Sequence, residues 1–261
     1  MNELLSEVEY IARAAGKAIL DVYSRDFAVQ EKGDKSPLTE ADEVANGVIV
    51  AALGRLSPPL PILTEEAVSD FAGPDPKGRY WLVDPLDGTK EFINRNGEFT
   101  VNIALIEGSR PVLGVVYAPV PDVLYVGAEG LGAFKSTAER REQIRVAEHT
   151  AGRPWRVVGS RSHAGDSLGQ FLNRLGSYEL VSMGSSLKFC LVAEGSADIY
   201  PRLGPTSLWD TAAAQCVVEQ AGGAVIQFNG LPLSYAQPSQ TLNPFFLVHG
   251  KSAMPWGDLL V

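Results

Sequence analysis

The residues 81–92 place two aspartates, Asp84 and Asp87, directly after a short apolar run. Pro85 removes a backbone donor and fixes φ, so a strand cannot simply continue through it, and Asp87 followed by Gly88 favours a turn. Two carboxylates three residues apart at a strand end can converge on one point, where their oxygens would suit Mg²⁺. If a helix begins near Gly88, its free N–H groups would face the same point and could hold a phosphate. Taken alone, the motif also fits a plain turn with two solvated acids.

Three further acidic segments could join this pair. Glu65 and Glu66 follow another short apolar run, Asp210 stands at the predicted start of a helix, and Asp42 stands in the first turn of another. Acids are common at helix starts because they complement the helix dipole. Only a convergence of the four segments in space would therefore indicate a metal site.

The first half of the chain predicts two helices followed by successive strands. Apolar residues recur every three or four positions from Leu4 to Val22, and a second helix is predicted over 40–56 with Thr39 as its N-cap. Strands are predicted at 62–63, 80–83, 100–106, 112–117, 124–126 and 144–146. This order suggests a meandering sheet covered by helices on one face.

The second half alternates between strands and helices. Strands are predicted at 156–158, 178–181, 198–200, 224–227 and 245–248, and helices at 168–175, 186–194 and 211–220. Such alternation indicates an α/β layer. We therefore predict an N-terminal α+β half over 1–150 and a C-terminal α/β half over 151–261, with the functional site between them.

Composition narrows the class of protein. The chain has 261 residues and a net charge of −9, and this charge argues against a nucleic-acid groove. Its first residues are acidic and no apolar run reaches the roughly 18 to 20 residues of a membrane span, so a cytoplasmic location is expected. Cys190 and Cys216 are predicted to be buried free thiols, with a disulfide as the alternative.

The acidic segments together resemble the inositol monophosphatase superfamily. Asp84-Pro85-Leu86-Asp87-Gly88-Thr89 and Trp209-Asp210-Thr211-Ala212-Ala213 resemble its paired signature. Thr64-Glu65-Glu66 resembles its upstream Glu-Glu element, and Thr39-Glu40-Ala41-Asp42 resembles its Asp-bearing helix start. The resemblance covers nearly the whole chain, in order, and implies a layered α-β-α-β-α sandwich (a mixed α+β and α/β fold).

The resemblance also implies a lithium-sensitive phosphatase that depends on Mg²⁺. One ion would be held by Glu65, Asp84 and the backbone carbonyl of Leu86, and a second by Asp84, Asp87 and Asp210. A third, weaker ion near Glu65 is a further option, and spacing alone does not decide between Glu65 and Glu66. The ions would activate a water for in-line attack on phosphorus.

The same resemblance assigns catalytic roles to Asp42, Glu65 and Thr89. Thr89 would orient the attacking water, and Asp42 would accept a hydrogen bond from Thr89. Residues that would contact the substrate are Glu65, Leu86, Asp87, Gly88, Thr89, His163, Ser185, Lys188, Arg202 and Asp210.

Several other stretches resemble one branch of the superfamily, the bacterial 3'(2'),5'-bisphosphate nucleotidases of sulfur assimilation. They are 80–93, 95–106, 114–120, 160–163 and 184–190. The implied reaction converts adenosine 3',5'-bisphosphate to AMP and phosphate, and the sulfated analogue is a further expected substrate.

A bisphosphate needs a cation for its second phosphate. Lys188 and Arg202 are the candidates, because Arg forks onto phosphate oxygens and Lys acts as a point charge. Ser185, at a predicted helix start, would add donors, and His163 would contact sugar or base. Three of these residues also have an ordinary structural interpretation: Lys188 as a surface lysine, Arg202 as an ion-paired arginine and His163 as a loop histidine. Lys32 and Lys35 could approach the site but are given no role.

Two alternatives remain open from the sequence. One is an inositol or other sugar-phosphate phosphatase with the same metal site, and the other is an inactive nucleotide-binding scaffold. The sequence predicts a monomer or a homodimer without deciding between them. Peripheral association with the inner membrane is compatible with the resemblance.

Overall fold

The computed structural model describes residues 1–31, 37–159, 166–254 and 256. The helices in these residues are α1 (Asn2–Tyr23), α2 (Glu40–Leu53), α3 (Thr89–Ile93), α4 (Asp166–Leu175), α5 (Leu187–Ala193) and α6 (Leu208–Gln220), with a 3₁₀ helix at Glu65–Asp70. The strands of the first half are β1 (Val29–Glu31), β2 (Pro37–Thr39), β3 (Ile62–Thr64), β4 (Arg79–Asp87), β5 (Thr100–Glu107), β6 (Arg110–Ala118), β7 (Val123–Ala128), β8 (Gly132–Ser136) and β9 (Arg141–Gln143). Those of the second half are β10 (Trp155–Gly159), β11 (Tyr178–Ser182), β12 (Ile199–Arg202), β13 (Ala224–Gln227) and β14 (Phe246–His249).

The first two helices follow the predicted apolar periodicity. α1 buries one face, which includes Val8, Ala15 and Ile19. α2 begins after Thr39, whose hydroxyl accepts a hydrogen bond from the backbone N–H of Ala41. The helix ends at Leu53, three residues before the predicted end.

The larger sheet has seven strands in the order β3-β4-β5-β6-β7-β8-β9. β3 and β4 are parallel, and the remaining neighbours are antiparallel. The predicted meander from β4 to β7 is therefore confirmed. The strand predicted at 144–146 is absent from these described residues, and β9 lies just before it at Arg141–Gln143.

The prediction that helices cover one face of this sheet was wrong. Alternate residues of β4 enter two different cores: Trp81 and Val83 pack with α1 and α2, whereas Tyr80 and Leu82 pack with α5 and α6. Successive side chains of a strand point to opposite faces, so both faces of the sheet are buried. The second helical layer comes from the C-terminal half of the chain.

The smaller sheet has five strands in the order β11-β10-β12-β14-β13. Residues of α5 and α6 share one hydrophobic cluster with both sheets, and α4 packs on the outer face of the smaller sheet through Phe171, Leu172 and Leu175. The layers therefore run helix, sheet, helix, sheet, helix, which confirms the predicted sandwich.

Helix α6 lies unusually close to the larger sheet because two glycines face it. A Cβ added at Gly114 of β6 would stand 2.2 Å from the carbonyl oxygen of Ala213, and one at Gly127 of β7 would stand 2.8 Å from that of Cys216. No side chain fits in these gaps. These contacts determine how close α6 lies to the larger sheet, and so where Asp210 in its first turn lies.

Two further predictions concern the whole chain. Cys190 and Cys216 are both buried and free, as predicted. In the described part of the chain, none of the helices combines the length and apolar character that a membrane crossing requires.

Candidate active site

The first two aspartates lie at the C-terminal end of strand β4, between β3 and β5 of the larger sheet. Its ladder with β5 is regular as far as Asp84 and becomes irregular between Asp84 and Asp87, where Pro85 stands. Such an irregularity bends a strand and re-aims its side chains. Asp84 is 1% exposed, and its Oδ1 accepts a hydrogen bond of 3.1 Å from the backbone N–H of Leu86.

The turn after β4 brings Thr89 next to Asp42. Gly88 has φ of +92°, a conformation that favours glycine, and α3 begins immediately after it. The Thr89 hydroxyl lies 3.4 Å from Oδ1 of Asp42 and 3.4 Å from the carbonyl oxygen of Leu86. The other Asp42 oxygen accepts bonds of 2.7 Å from both the N–H and the hydroxyl of Thr39. The two residues with predicted proton-handling roles therefore lie in contact.

Asp87 is held by residues from distant parts of the chain. Its Oδ2 accepts hydrogen bonds from the backbone N–H and the hydroxyl of Ser186, at 2.6 and 2.7 Å. Longer contacts of 3.5 and 3.4 Å come from Thr100 and Asn102 of β5. Four donors thus converge on a single carboxylate oxygen.

Asp210 is the third residue of α6, and its carboxylate reaches back over the start of the helix. Its Oδ2 accepts a hydrogen bond of 2.8 Å from the N–H of Ser207, the N-cap residue. This is the backward half of a capping box, and Asp42 makes the same contact with Thr39 at the start of α2. The two helix starts therefore fix two acidic side chains by the same local device.

The carboxylates of the site are buried from water and repel one another. Burial raises the pKa of Asp84 well above its usual range, and Glu65, Asp87, Asp210 and Asp42 raise it further. The pKa of Asp210 is raised to about 8, first by burial and next by Asp87. The four acidic segments therefore lie close enough in space for their charges to act on Asp84.

These side chains fit a hard divalent cation by their chemistry. Every side-chain atom that could coordinate a metal here is an oxygen. A bound cation would also relieve the mutual repulsion of the buried carboxylates. Among the described residues, the hydrogen bonds to Asp84, Asp87 and Asp210 all go to one oxygen of each carboxylate, which leaves the other oxygen for a cation. No three His, Cys, Asp or Glu side chains in the described ranges are arranged to hold an ion as they stand. A cation at this place would therefore require the side chains to move, and backbone carbonyls and water would complete its ligands.

A cleft joins this acidic group to three basic side chains. Asp87 and Asp210 line it together with Lys90, Lys188 and Arg202. Lys188 is 8% exposed, its ammonium donates to the carbonyl oxygen of Ser185 at 2.6 Å, and burial lowers its pKa while Asp87 opposes that effect. Arg202 donates to the carbonyl oxygen of Pro205 at 2.8 Å. Its Nε is buried and has no hydrogen-bond partner among the described residues.

The remaining predicted site residues fall into three groups. Ser185 and Gly88 line the same cleft. Glu65 is half-buried at the end of β3, close enough to Asp84 to raise the pKa of that carboxyl. His163 lies outside the described residues, as do Lys32 and Lys35.

Sequence reasoning missed three polar residues that organise the site. They are Ser186, Asn102 and Ser207. For Ser207 a signal was available, because Ser207 and Asp210 have the spacing of a capping box. For Ser186 and Asn102 there was none, because their mutual contact spans 84 residues of the chain and the contact of Ser186 with Asp87 spans 99.

Comparison with known proteins shows the family of the chain. The sequence model of the inositol monophosphatase family matches residues 1–252, and the chain belongs to this family, which confirms the resemblance. Within it, the chain is 51% identical over 247 residues to a protein of Escherichia coli K12, with 94% of this chain and 99% of the relative covered. That relative is named 3'(2'),5'-bisphosphate nucleotidase CysQ. A protein of the same name from Haemophilus influenzae is 35% identical over 262 residues, covering 99% and 97% of the two chains.

Solved structures show the same fold. The crystal structure of CysQ from Bacteroides thetaiotaomicron, described as a bacterial member of the inositol monophosphatase family, superposes with a TM-score of 0.81 at 40% identity, covering 96% of this chain and 97% of the other. An inositol monophosphatase from Anabaena superposes with a TM-score of 0.78 at 27% identity, covering 99% and 94%.

Proposed function

We propose that this chain is a Mg²⁺-dependent 3'(2'),5'-bisphosphate nucleotidase that hydrolyses the 3'-phosphate of adenosine 3',5'-bisphosphate to give AMP and phosphate. The observation that carries the proposal is one cleft whose lining includes both the carboxylates of Asp87 and Asp210 and the basic side chains of Lys188 and Arg202. The names of the relatives at 51% and 35% identity support it. The sulfated analogue of this nucleotide is a second expected substrate.

Two kinds of charge in one cleft suit a substrate with two phosphates. The 3'-phosphate would lie at the carboxylates with their ions, and the 5'-phosphate would lie at Lys188 and Arg202. The vacant Nε of Arg202 is a buried donor that a phosphate oxygen could satisfy. Asp87 comes from the predicted N-terminal half and Asp210 from the C-terminal half, so the substrate would lie between the halves.

Mg²⁺ would be held by Glu65, Asp84, Asp87, Asp210 and the carbonyl oxygen of Leu86, and it would neutralise phosphate charge and make water a better nucleophile. The chain's own part in proton transfer falls to Thr89 and Asp42. The Thr89 hydroxyl would accept a hydrogen bond from the attacking water and donate its own proton toward Oδ1 of Asp42, 3.4 Å away. Because Thr39 holds the other oxygen of Asp42 with two bonds, this acceptor is fixed in direction.

The test is a substrate panel. We expect kcat/KM for adenosine 3',5'-bisphosphate to exceed that for inositol 1-phosphate, activity to stop when Mg²⁺ is chelated, and Li⁺ to inhibit. An equal or reversed preference would favour the inositol or sugar phosphatase alternative, for which the 27%-identical inositol monophosphatase fold is the supporting observation.

A variant separates an enzyme from an inactive nucleotide-binding scaffold. Asp87→Asn should abolish turnover while the far-ultraviolet circular dichroism spectrum stays unchanged. Asp26→Asn, which alters an exposed aspartate of the N-terminal segment, is the matched control and should keep full activity. Equal activity of Asp87→Asn and the wild type would contradict the proposed carboxylate site.

A further inference from the structure

Ser186 joins three segments of the site through one side chain. It is 2% exposed, and its backbone N–H and hydroxyl both donate to Oδ2 of Asp87, at 2.6 and 2.7 Å. The same hydroxyl lies 2.7 Å from the carbonyl oxygen of Asp210 and 2.9 Å from the side-chain amide of Asn102. Segments that lie 24 to 99 residues from Ser186 along the chain therefore meet at one oxygen atom.

This use of Ser186 differs from the usual use of a serine at its position. Ser186 is the N-cap residue of α5, where a serine hydroxyl commonly accepts a hydrogen bond from the helix's own backbone. Here the side chain makes no capping hydrogen bond. Its hydrogen-bonding capacity goes instead to Asp87, Asp210 and Asn102.

The donors and acceptors around the hydroxyl can be assigned. A serine hydroxyl has one hydrogen and two acceptor positions, and Asn102 can only donate through its Nδ2. The single hydrogen is therefore shared between the Asp87 carboxylate and the Asp210 carbonyl, of which the charged carboxylate is the stronger acceptor. The orientation of Asn102 follows as well, because its amide oxygen would otherwise face the carboxylate.

The residue before Ser186 holds the turn in place. Ser185 has φ of +47°, which is uncommon for a residue with a side chain. Its carbonyl oxygen accepts the hydrogen bond of 2.6 Å from the buried Lys188 ammonium. Asp87 and Lys188 are thus tied to neighbouring residues of one turn.

We propose that Ser186 is a positioning residue, which fixes Oδ2 of Asp87 so that the other carboxylate oxygen stays directed for Mg²⁺, and links that aspartate to the start of α6. The proposal rests on the proposed function, in which Asp87 is a Mg²⁺ ligand. Groups that hydrogen-bond to a metal ligand orient it, and their loss typically weakens metal binding or activity by about 10- to 100-fold.

The test compares Mn²⁺ binding to the wild type and to Ser186→Ala, measured by electron paramagnetic resonance without substrate. We expect Ser186→Ala to weaken Mn²⁺ binding by about 10- to 100-fold and to lower kcat/KM for the bisphosphate in parallel. Ser136→Ala is the matched control, because Ser136 is 8% exposed and its hydroxyl has no hydrogen-bond partner among the described residues. It should bind Mn²⁺ like the wild type.

Asn102→Leu provides a second arm if Ser186→Ala does not fold. This variant keeps Ser186 but removes the amide that donates to its hydroxyl at 2.9 Å and, more weakly, to Oδ2 of Asp87 at 3.4 Å. It should weaken Mn²⁺ binding in the same direction. Unchanged Mn²⁺ affinity in a folded Ser186→Ala, or in Asn102→Leu where that variant replaces it, would overturn the proposal, as would a wild type that binds no Mn²⁺. A wild type that binds Mn²⁺ but does not hydrolyse the bisphosphate would refute the proposed function alone, and the titration would still decide the role of Ser186.

Discussion

Lys188 is a buried ammonium whose only hydrogen bond among the described residues goes to a backbone carbonyl. Replacing it with alanine should lower kcat/KM for adenosine 3',5'-bisphosphate. The expected loss of transition-state binding is about 1.5 to 3 kcal/mol, the scale of one charged hydrogen bond. The reason is that the 5'-phosphate would lose its point charge. The measurement is steady-state kinetics of Lys188→Ala beside the wild type.

A second substrate separates this role from a structural one. Adenosine 3'-monophosphate has no 5'-phosphate, so Lys188→Ala should affect its hydrolysis much less. An equal loss on both substrates would show instead that Lys188 acts by holding the Ser185 carbonyl and the turn around it.

Residue type drew attention to the acids of the candidate site but not to their partners. Asp84, Asp87 and Asp210 could be selected because carboxylates after a strand or at a helix start are visible in a single sequence. Ser186 could not, because a serine has many ordinary roles and this one depends on a contact across 99 residues. A single sequence carries no direct signal for such a contact.

Elements, in turn, set where these residues stand. The starts of α2 and α6 could be predicted locally, since Thr39 and Asp42, like Ser207 and Asp210, have capping-box spacing. The second helical layer on the larger sheet could not, because α5 and α6 reach that sheet only through the tertiary fold. The strands of that sheet read as apolar runs, and an apolar run does not reveal whether one face or both are covered.

Gly114 links the packing of an element to the site. The Cβ of Gly114→Ala would stand 2.2 Å from the carbonyl oxygen of Ala213 in α6, so the helix must shift. We expect the free energy of unfolding to fall by about 1 to 3 kcal/mol, the usual cost of overpacking. Because Asp210 lies on the same helix, Mg²⁺ affinity should fall as well. Urea unfolding and calorimetric titration with Mg²⁺ measure the two effects.

Gly47 offers a matched control for the same substitution. It is an exposed glycine within α2, and a Cβ added there would meet nothing within 4 Å. Gly47→Ala should therefore stabilise the protein by about 0.5 to 1 kcal/mol, because alanine is the better helix former. If Gly114→Ala were as stable as Gly47→Ala, the close approach of α6 would not be a constraint.

At the scale of the whole molecule, the fold gathers negative charge in a chain that is already at −9. Asp42 comes from the start of α2 on one face of the larger sheet, Glu65 from the end of β3, Asp84 and Asp87 from the end of β4, and Asp210 from the layer between the sheets. The free energy of folding therefore includes a repulsion that the site imposes, and a divalent cation would remove it. The family's layered fold was predictable from ordered motifs, whereas this burial of charge follows from the packing.

The last prediction concerns the pH dependence of stability without Mg²⁺. The folded-state pKa of Asp210 is about 8, against about 3.9 for an unfolded aspartate. Because the carboxyl pKa is higher in the folded state, the folded state binds more protons than the unfolded state between these two pKa values. The contribution of Asp210 to the free energy of unfolding is therefore complete below about pH 4 and is lost as the pH rises toward 8. Asp210→Asn has no such charge to bury. In a chelator, the stability of the wild type relative to Asp210→Asn should therefore fall between about pH 5 and pH 8.

The measurement is the urea unfolding midpoint of both proteins across that pH range. The same measurement with Mg²⁺ added is the second half of the test. An ion that binds only the folded state stabilises by about 2.7 kcal/mol at 100 times its dissociation constant, and this gain should be larger for the wild type because Asp210→Asn lacks a ligand. A difference between the two proteins that stays constant from pH 5 to 8 would show that Asp210 is already solvated or neutralised in the folded chain. The carboxylates would then not repel one another strongly enough to require a cation.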